Sequence, residues 1–104
     1  MVDKKEDIGP YSIGSPKWNG LAKLMEECAE VIQIGAKLIG SNGDVQHWEG
    51  GVPLDQRLEK EIGDVYAAAR FMIGKNSLSL VNITVTANTK KARFETWDKE
   101  RRCG

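Results

Sequence analysis

Long hydrophobic runs are missing from this sequence. None approaches the roughly 20 apolar residues of a membrane helix, and the charged stretch Met1 to Asp7 has no apolar segment behind it, so neither a membrane span nor a secretory leader is expected. Soft metal ligands are equally scarce. Cys28 and Cys103 lie far apart with no Cys-x-x-Cys spacing, and His47 is the single histidine, which excludes a zinc or iron–sulfur ligand set and fits a reducing cytoplasm. Nor is there an excess of either charge. Fifteen basic and fifteen acidic side chains cancel, so no global field draws the chain onto a nucleic acid polymer or an anionic membrane. Any charge-driven chemistry must be local. Internal repeats and low-complexity tracts are also missing.

At 104 residues the chain reads as one domain that buries only roughly 60–70 % of its unfolded surface, and a partner subunit would help it. Residues 1–14 are charged and then carry Gly9, Pro10 and Gly14, an irregular lead-in expected to be mobile or packed on a neighbour. Residues 15–104 read as helical. Ser15 followed by Pro16 is a helix-start signal, because a serine hydroxyl caps free N–H groups and proline at the first position loses no hydrogen bond. Leu21, Met25, Cys28, Ile32, Gly35 and Ile39 recur at helical spacing, which predicts helix one over 16–39 with this stripe, including an inert buried Cys28 thiol, facing the core. Turn formers then surround Trp48, the expected anchor of a functional loop over 40–53. Leu54, Leu58, Ile62, Val65, Ala69, Met72 and Ile73 predict helix two over 54–73, with Gly74 suited to a left-handed cap. Residues 78–86 have strand-like composition. A lone strand would leave its backbone groups unpaired, so the segment 77–100 is read as a third helix. The fold class is all-α, an antiparallel helical bundle.

Chemistry is concentrated on the first two helices. Glu27 and Glu30 are three residues apart on helix one, and Glu61 and Asp64 repeat that spacing on helix two, so each pair shares a face. Lys23, Glu27, Glu30, Ile34 and Lys37 fall on one side of helix one, and Arg57, Glu61, Asp64, Ala68 and Phe71 on one side of helix two. The second set mixes Phe71 with small residues, which implies that it is covered. Two antiparallel helices would then gather four carboxylates in a partly covered cleft that demands counter-charge. Hard oxygen ligands select Mg²⁺, Mn²⁺ or Ca²⁺, and Mg²⁺ in particular, for which Mn²⁺ can substitute, is commonly held by a few carboxylates together with phosphate oxygens. Acidic residues near lysines are common on solvated helices, so one such pair would be weak evidence; two matched pairs on adjacent helices are stronger.

The segments Lys23-Leu-Met-Glu-Glu-Cys-Ala-Glu30 and Glu59-Lys-Glu-Ile-Gly-Asp-Val65 resemble the signature of the all-α nucleoside triphosphate pyrophosphohydrolases that include MazG and its short phage and bacterial relatives. The resemblance covers about half of the chain. It implies Glu27, Glu30, Glu61 and Asp64 as Mg²⁺ ligands, with Glu26 and Glu59 outside the motif. It further implies water attack on the α-phosphorus of a nucleoside triphosphate, giving the monophosphate and pyrophosphate, with Glu30 or Glu61 as proton acceptor. Family members carry an Asn-and-basic stretch on the last helix, which Asn88-Thr-Lys-Lys-Ala-Arg-Phe94 resembles, so Asn88 and Lys91 are candidate substrate-binding residues. Lys37, ten residues beyond Glu27, is a candidate for a phosphate oxygen, and Trp48 for stacking on a base. The family architecture implies a homodimer or higher homo-oligomer in a bacterial or phage-infected cytoplasm.

Two competing readings differ in what they require. A di-iron carboxylate bundle needs Glu-x-x-His on two helices, and no such pair exists. A non-enzymatic helical interaction module would use the same acids in structural salt bridges, and metal binding separates it from the enzyme.

Overall fold

The computed structural model describes residues 9–46 and 49–103. They form three helices, α1 (Leu21–Gly40), α2 (Leu54–Lys75) and α3 (Leu80–Cys103), and no strand occurs among the described residues. The third segment is thus helical, as the argument from unpaired strand backbone requires. None of the described helices is long and apolar enough to cross a membrane.

Helix α1 begins later than the Ser15–Pro16 signal suggests. The Ser15 hydroxyl donates to the Lys17 carbonyl at 2.9 Å instead of capping a helix. The local signal loses to a set of longer-range bonds that fold the lead-in back on the helix start: Ala22 N–H to Tyr11 O at 2.9 Å, Gly20 N–H to Ser12 O at 3.1 Å, and Gly14 N–H to the Asn19 side-chain oxygen at 2.7 Å. Residues 9–20 are therefore a built loop. At the far end, Asn42 in the left-handed region (φ 55°) lets Gly43 N–H reach Leu38 O at 2.8 Å and Asn42 N–H reach Ile39 O at 3.0 Å, a Schellman stop.

Helix α2 ends by the same device. Its left-handed residue is Ser77 (φ 54°), with Leu78 N–H on Ile73 O at 3.2 Å. Gly74, the expected cap, lies inside the helix; the last apolar side chain, Ile73, falls two residues before the end that the backbone selects. Ser79 then caps α3 through its hydroxyl, which accepts from Asn82 N–H at 3.0 Å.

The helices α1 and α2 pack as an antiparallel hairpin. Asn76, just past the end of α2, donates to the Asn19 carbonyl before α1 at 2.9 Å, while Leu54 N–H at the start of α2 reaches Val45 O after α1 at 2.8 Å. The interface buries Ile34, Leu54, Ala68 and Met72. It is not the interface that the apolar stripe of α1 predicts. Met25, Ile32 and Ile39 are exposed, Ile32 at 70 %, and so is Cys28. The face carrying Glu27, Glu30 and Ile34 is the one turned toward α2. Helix α1 has apolar residues on two sides, and a single chain supplies a helix for only one of them.

Every described residue of α3 is exposed. Its stability within one chain is local: the Ser79 cap and the i,i+4 pairs Lys91–Glu95 at 3.5 Å and Asp98–Arg102 at 2.8 Å, each contributing only tenths of a kcal/mol, roughly. The radius of gyration of 17.6 Å exceeds the roughly 13 Å of a compact domain near this length, because α3 does not fold back over the hairpin.

Candidate metal centre

Antiparallel packing aligns the two acidic pairs. Moving up α1 and down α2, Gly20 meets Phe71, and Glu27 and Glu30 meet Asp64 and Glu61. One carboxylate oxygen from each of the four lies within 4.8 Å of the others. Oxygens held at about 2.1 Å by an octahedral Mg²⁺ are at most about 4.2 Å apart, so small side-chain adjustments bring the set to ligating distance.

The carboxylates are partly withdrawn from solvent. The Glu27 side chain is 13 % exposed and that of Glu61 16 %, and the second oxygen of each, Oε2, is buried with no hydrogen-bond partner. A buried anionic oxygen without a partner is costly. The neighbouring cations relieve this only in part. Lys23 Nζ lies 3.9 Å from Glu27 Oε1 and closer, 3.4 Å, to the outlying Glu26. Lys60 Nζ lies 2.7 Å from Asp64 and 3.7 Å from Glu61 Oε1. Two lysines face four carboxylates, and neither reaches the orphaned oxygens.

Protonation responds to this imbalance. A hydrogen bond shared with Glu30 raises the Glu61 carboxyl above its ordinary 4.5, helped by loss of solvent and by repulsion from Glu30 and Asp64, against the pull of Lys60. Lys60 is raised in turn, first by its hydrogen bond to Asp64 and then by attraction to Asp64 and Glu61. The donor set is all oxygen, which suits a hard divalent ion.

The other expected site residues are not gathered here. Asn88 and Lys91 lie on the exposed α3, where Lys91 pairs with Glu95. Lys37 sits half-buried on α1, about 15 Å along the helix axis from Glu27 at 1.5 Å per residue. Trp48 and His47 fall outside the described residues. The structure adds members that the motif did not name. A cleft of about 380 Å³ opens beside the cluster, lined by Glu27, Asp64 and Lys23 at one end and by Ile13, Gly20, Ala67, Ala68 and Phe71 at the other. The Lys60–Asp64 spacing was readable as an i,i+4 pair, whereas Ile13 and Gly20 gave no periodic signal.

No family model, curated protein or solved structure matches the chain.

Proposed function

We propose that this chain is a Mg²⁺-dependent nucleoside triphosphate pyrophosphohydrolase of the MazG-like all-α kind, with Glu27, Glu30, Glu61 and Asp64 holding the metal. The carrying observation is the pair of buried, unpartnered carboxylate oxygens of Glu27 and Glu61 inside a four-carboxylate cluster. A bound divalent ion would neutralise phosphate charge and acidify the attacking water. The chain's own residues have distinct tasks. Glu30 or Glu61 accepts the proton of the water that attacks the α-phosphorus as the bond to the pyrophosphate oxygen breaks. Lys23 lines the cleft beside Glu27 and is placed to take a phosphate oxygen. A reducing cytoplasm is the compartment that fits the widely spaced cysteines.

In this reading two copies pair through the uncovered side of the bundle. Met25, Ile32 and Ile39 on α1 and Ile62 and Tyr66 on α2 are exposed, apolar side chains that a second copy would cover. Asn88 and Lys91 would then reach a cluster only from the other copy's α3.

The same exposed surface favours a second reading, a helical interaction module whose acids are structural. Pyrophosphate release from a panel of nucleoside triphosphates, with Mg²⁺ or with EDTA, separates the two. The enzyme requires metal-dependent release that Glu30→Gln and Asp64→Asn each reduce about 1,000-fold while helical circular dichroism persists. No release from any nucleotide by folded, metal-supplied protein would establish the module instead.

A further inference from the structure

We propose that Lys60 is a built-in competitor for the metal: its ammonium holds Asp64 when no cation does, and it must give way for the cation to bind, which sets the affinity of the site. This rests on the metal centre of the function proposed above and gives Lys60 a regulatory task there.

Two lysines border the four carboxylates, and they stand differently toward them. Lys23 Nζ is 3.4 Å from Glu26, outside the cluster, and 3.9 Å from Glu27, beyond hydrogen-bonding distance. Lys60 Nζ donates to Asp64 Oδ2 at 2.7 Å and stands 3.7 Å from Glu61 Oε1. Both carboxylates that Lys60 meets are thus members of the metal-binding set.

The helix alone gives little reason for this contact. A cation four residues before its acid is the weaker order of an i,i+4 pair, and the residues three and four before Lys60, Arg57 and Gln56, carry no negative charge. What draws Lys60 to Asp64 is the concentrated charge of the cluster, the same field that attracts a divalent ion.

Ammonium and metal therefore compete for one carboxylate. Asp64 contributes an oxygen to the set of four that lie within 4.8 Å of one another. A cation held at about 2.1 Å from either Asp64 oxygen lies no more than about 7 Å from an ammonium left on that carboxylate. At about 6 Å, the repulsion between a unit charge and a divalent ion costs about tenfold in affinity even at the dielectric of water. Lys60 is free to leave: its side chain is 70 % exposed, and an exposed ion pair holds it weakly. Leaving relieves the repulsion but gives up the bond to Asp64, so in either position Lys60 weakens the hold on the cation.

The test is a titration of the full chain with Mn²⁺ and no nucleotide, free Mn²⁺ being read by electron paramagnetic resonance at about 10 mM ionic strength, where exposed charges are little screened. Wild type is compared with Lys60→Met and Lys60→Gln, which remove the charge, with Lys60→Arg, which keeps it, and with Lys75→Met at the far end of α2. Circular dichroism confirms that each is helical. Lys60→Met and Lys60→Gln are expected to bind Mn²⁺ about tenfold more tightly than wild type, and Lys60→Arg and Lys75→Met to stay within about threefold of it. Binding by the two uncharged variants where wild type binds too weakly to measure supports the inference equally. Unchanged or weaker binding by the uncharged variants, or an equal gain from Lys60→Arg or Lys75→Met, would overturn it and leave the metal site standing. No Mn²⁺ binding by wild type or by any variant would overturn the metal site and this inference together.

Discussion

The hairpin and α3 treat their side chains in opposite ways. Where α1 and α2 meet, four carboxylates and two flanking lysines lie at an interface whose buried apolar residues are Ile34, Leu54, Ala68 and Met72. On α3, Leu80, Val81, Ile83, Val85, Phe94 and Trp97 are all exposed. A chain that only minimised exposed hydrocarbon would do the reverse, packing α3 and the Met25–Ile32 stripe inward and leaving the acids in water. The arrangement makes sense if the acidic interface is maintained for a ligand and the apolar surfaces are maintained for another protein surface. The most direct way to break that distinction is to assay Asp64→Asn and Lys91→Ala side by side. Metal-dependent pyrophosphate release is expected to fall about 1,000-fold for the first and at most about tenfold for the second. Equal losses would put α3 at the chemistry and erase the distinction.

Stability should divide along the same line. Leu54 is fully buried, so Leu54→Ala is expected to cost about 2–5 kcal/mol in urea denaturation. Leu80→Ala on α3 should cost less than about 0.5 kcal/mol in a monomer. A larger loss at Leu80 that grows with protein concentration would show α3 covered by another copy. The uncovered α1 stripe gives the complementary test: Ile32→Asp is expected to convert a dimer to monomer in sedimentation while the hairpin stays helical. An unchanged sedimentation coefficient would assign the stripe another role.

These contrasts also explain what could be read without coordinates. The acidic pairs were legible because three-residue spacing puts Glu27 with Glu30 and Glu61 with Asp64 on one face of any helix, and their convergence needed only antiparallel packing. Which face of α1 turns inward was not legible. Both Met25–Cys28–Ile32 and Ile34 satisfy helical periodicity, and periodicity does not say whether the partner is in the same chain. The true start of α1 was hidden for a related reason: Ser15–Pro16 is a sound local signal, but the bonds from Tyr11 and Ser12 to Ala22 and Gly20 involve main-chain atoms that every residue carries. Ile13 and Phe71 meet across one cleft through that same fold-back, so the apolar part of the site was invisible beside the acidic part.

Charge in the hairpin gives a pH signature that α3 should lack. The Glu61 carboxyl is raised above 4.5 in the folded, metal-free chain, so the folded state holds this proton more tightly than the unfolded one. The associated stability is present below the unfolded value and is lost as pH rises through the raised one. Glu61→Gln carries no such proton. The thermal midpoint of Glu61→Gln relative to wild type, both without divalent ions, is therefore expected to increase as pH rises from about 4 to 7. Saturating Mg²⁺ should reverse the order at neutral pH, because only the wild type keeps the full ligand set. A pH-independent difference would mean that the Glu61 carboxyl is not raised in the folded chain.

The smallest effect expected lies at the joint between the two regions. Ser77 occupies the left-handed region at φ 54°, which costs a side-chain-bearing residue about 1–2 kcal/mol, and glycine there recovers that cost less its own entropy, roughly 0.5–1 kcal/mol. Gly74 lies inside α2 with nothing within 4 Å of the place a Cβ would take, so alanine there gains up to about 1 kcal/mol of helix propensity. Exchanging the two positions, Gly74→Ala with Ser77→Gly, should therefore raise the urea midpoint. If Gly74 were the turning residue, both changes would lower it. The exchange leaves the Schellman stop in place, so α3 should depart in the same direction, and metal-dependent activity should be unchanged. Lost activity from a stabilised double variant would mean that the rigidity of this joint, and not only its geometry, couples α3 to the carboxylates.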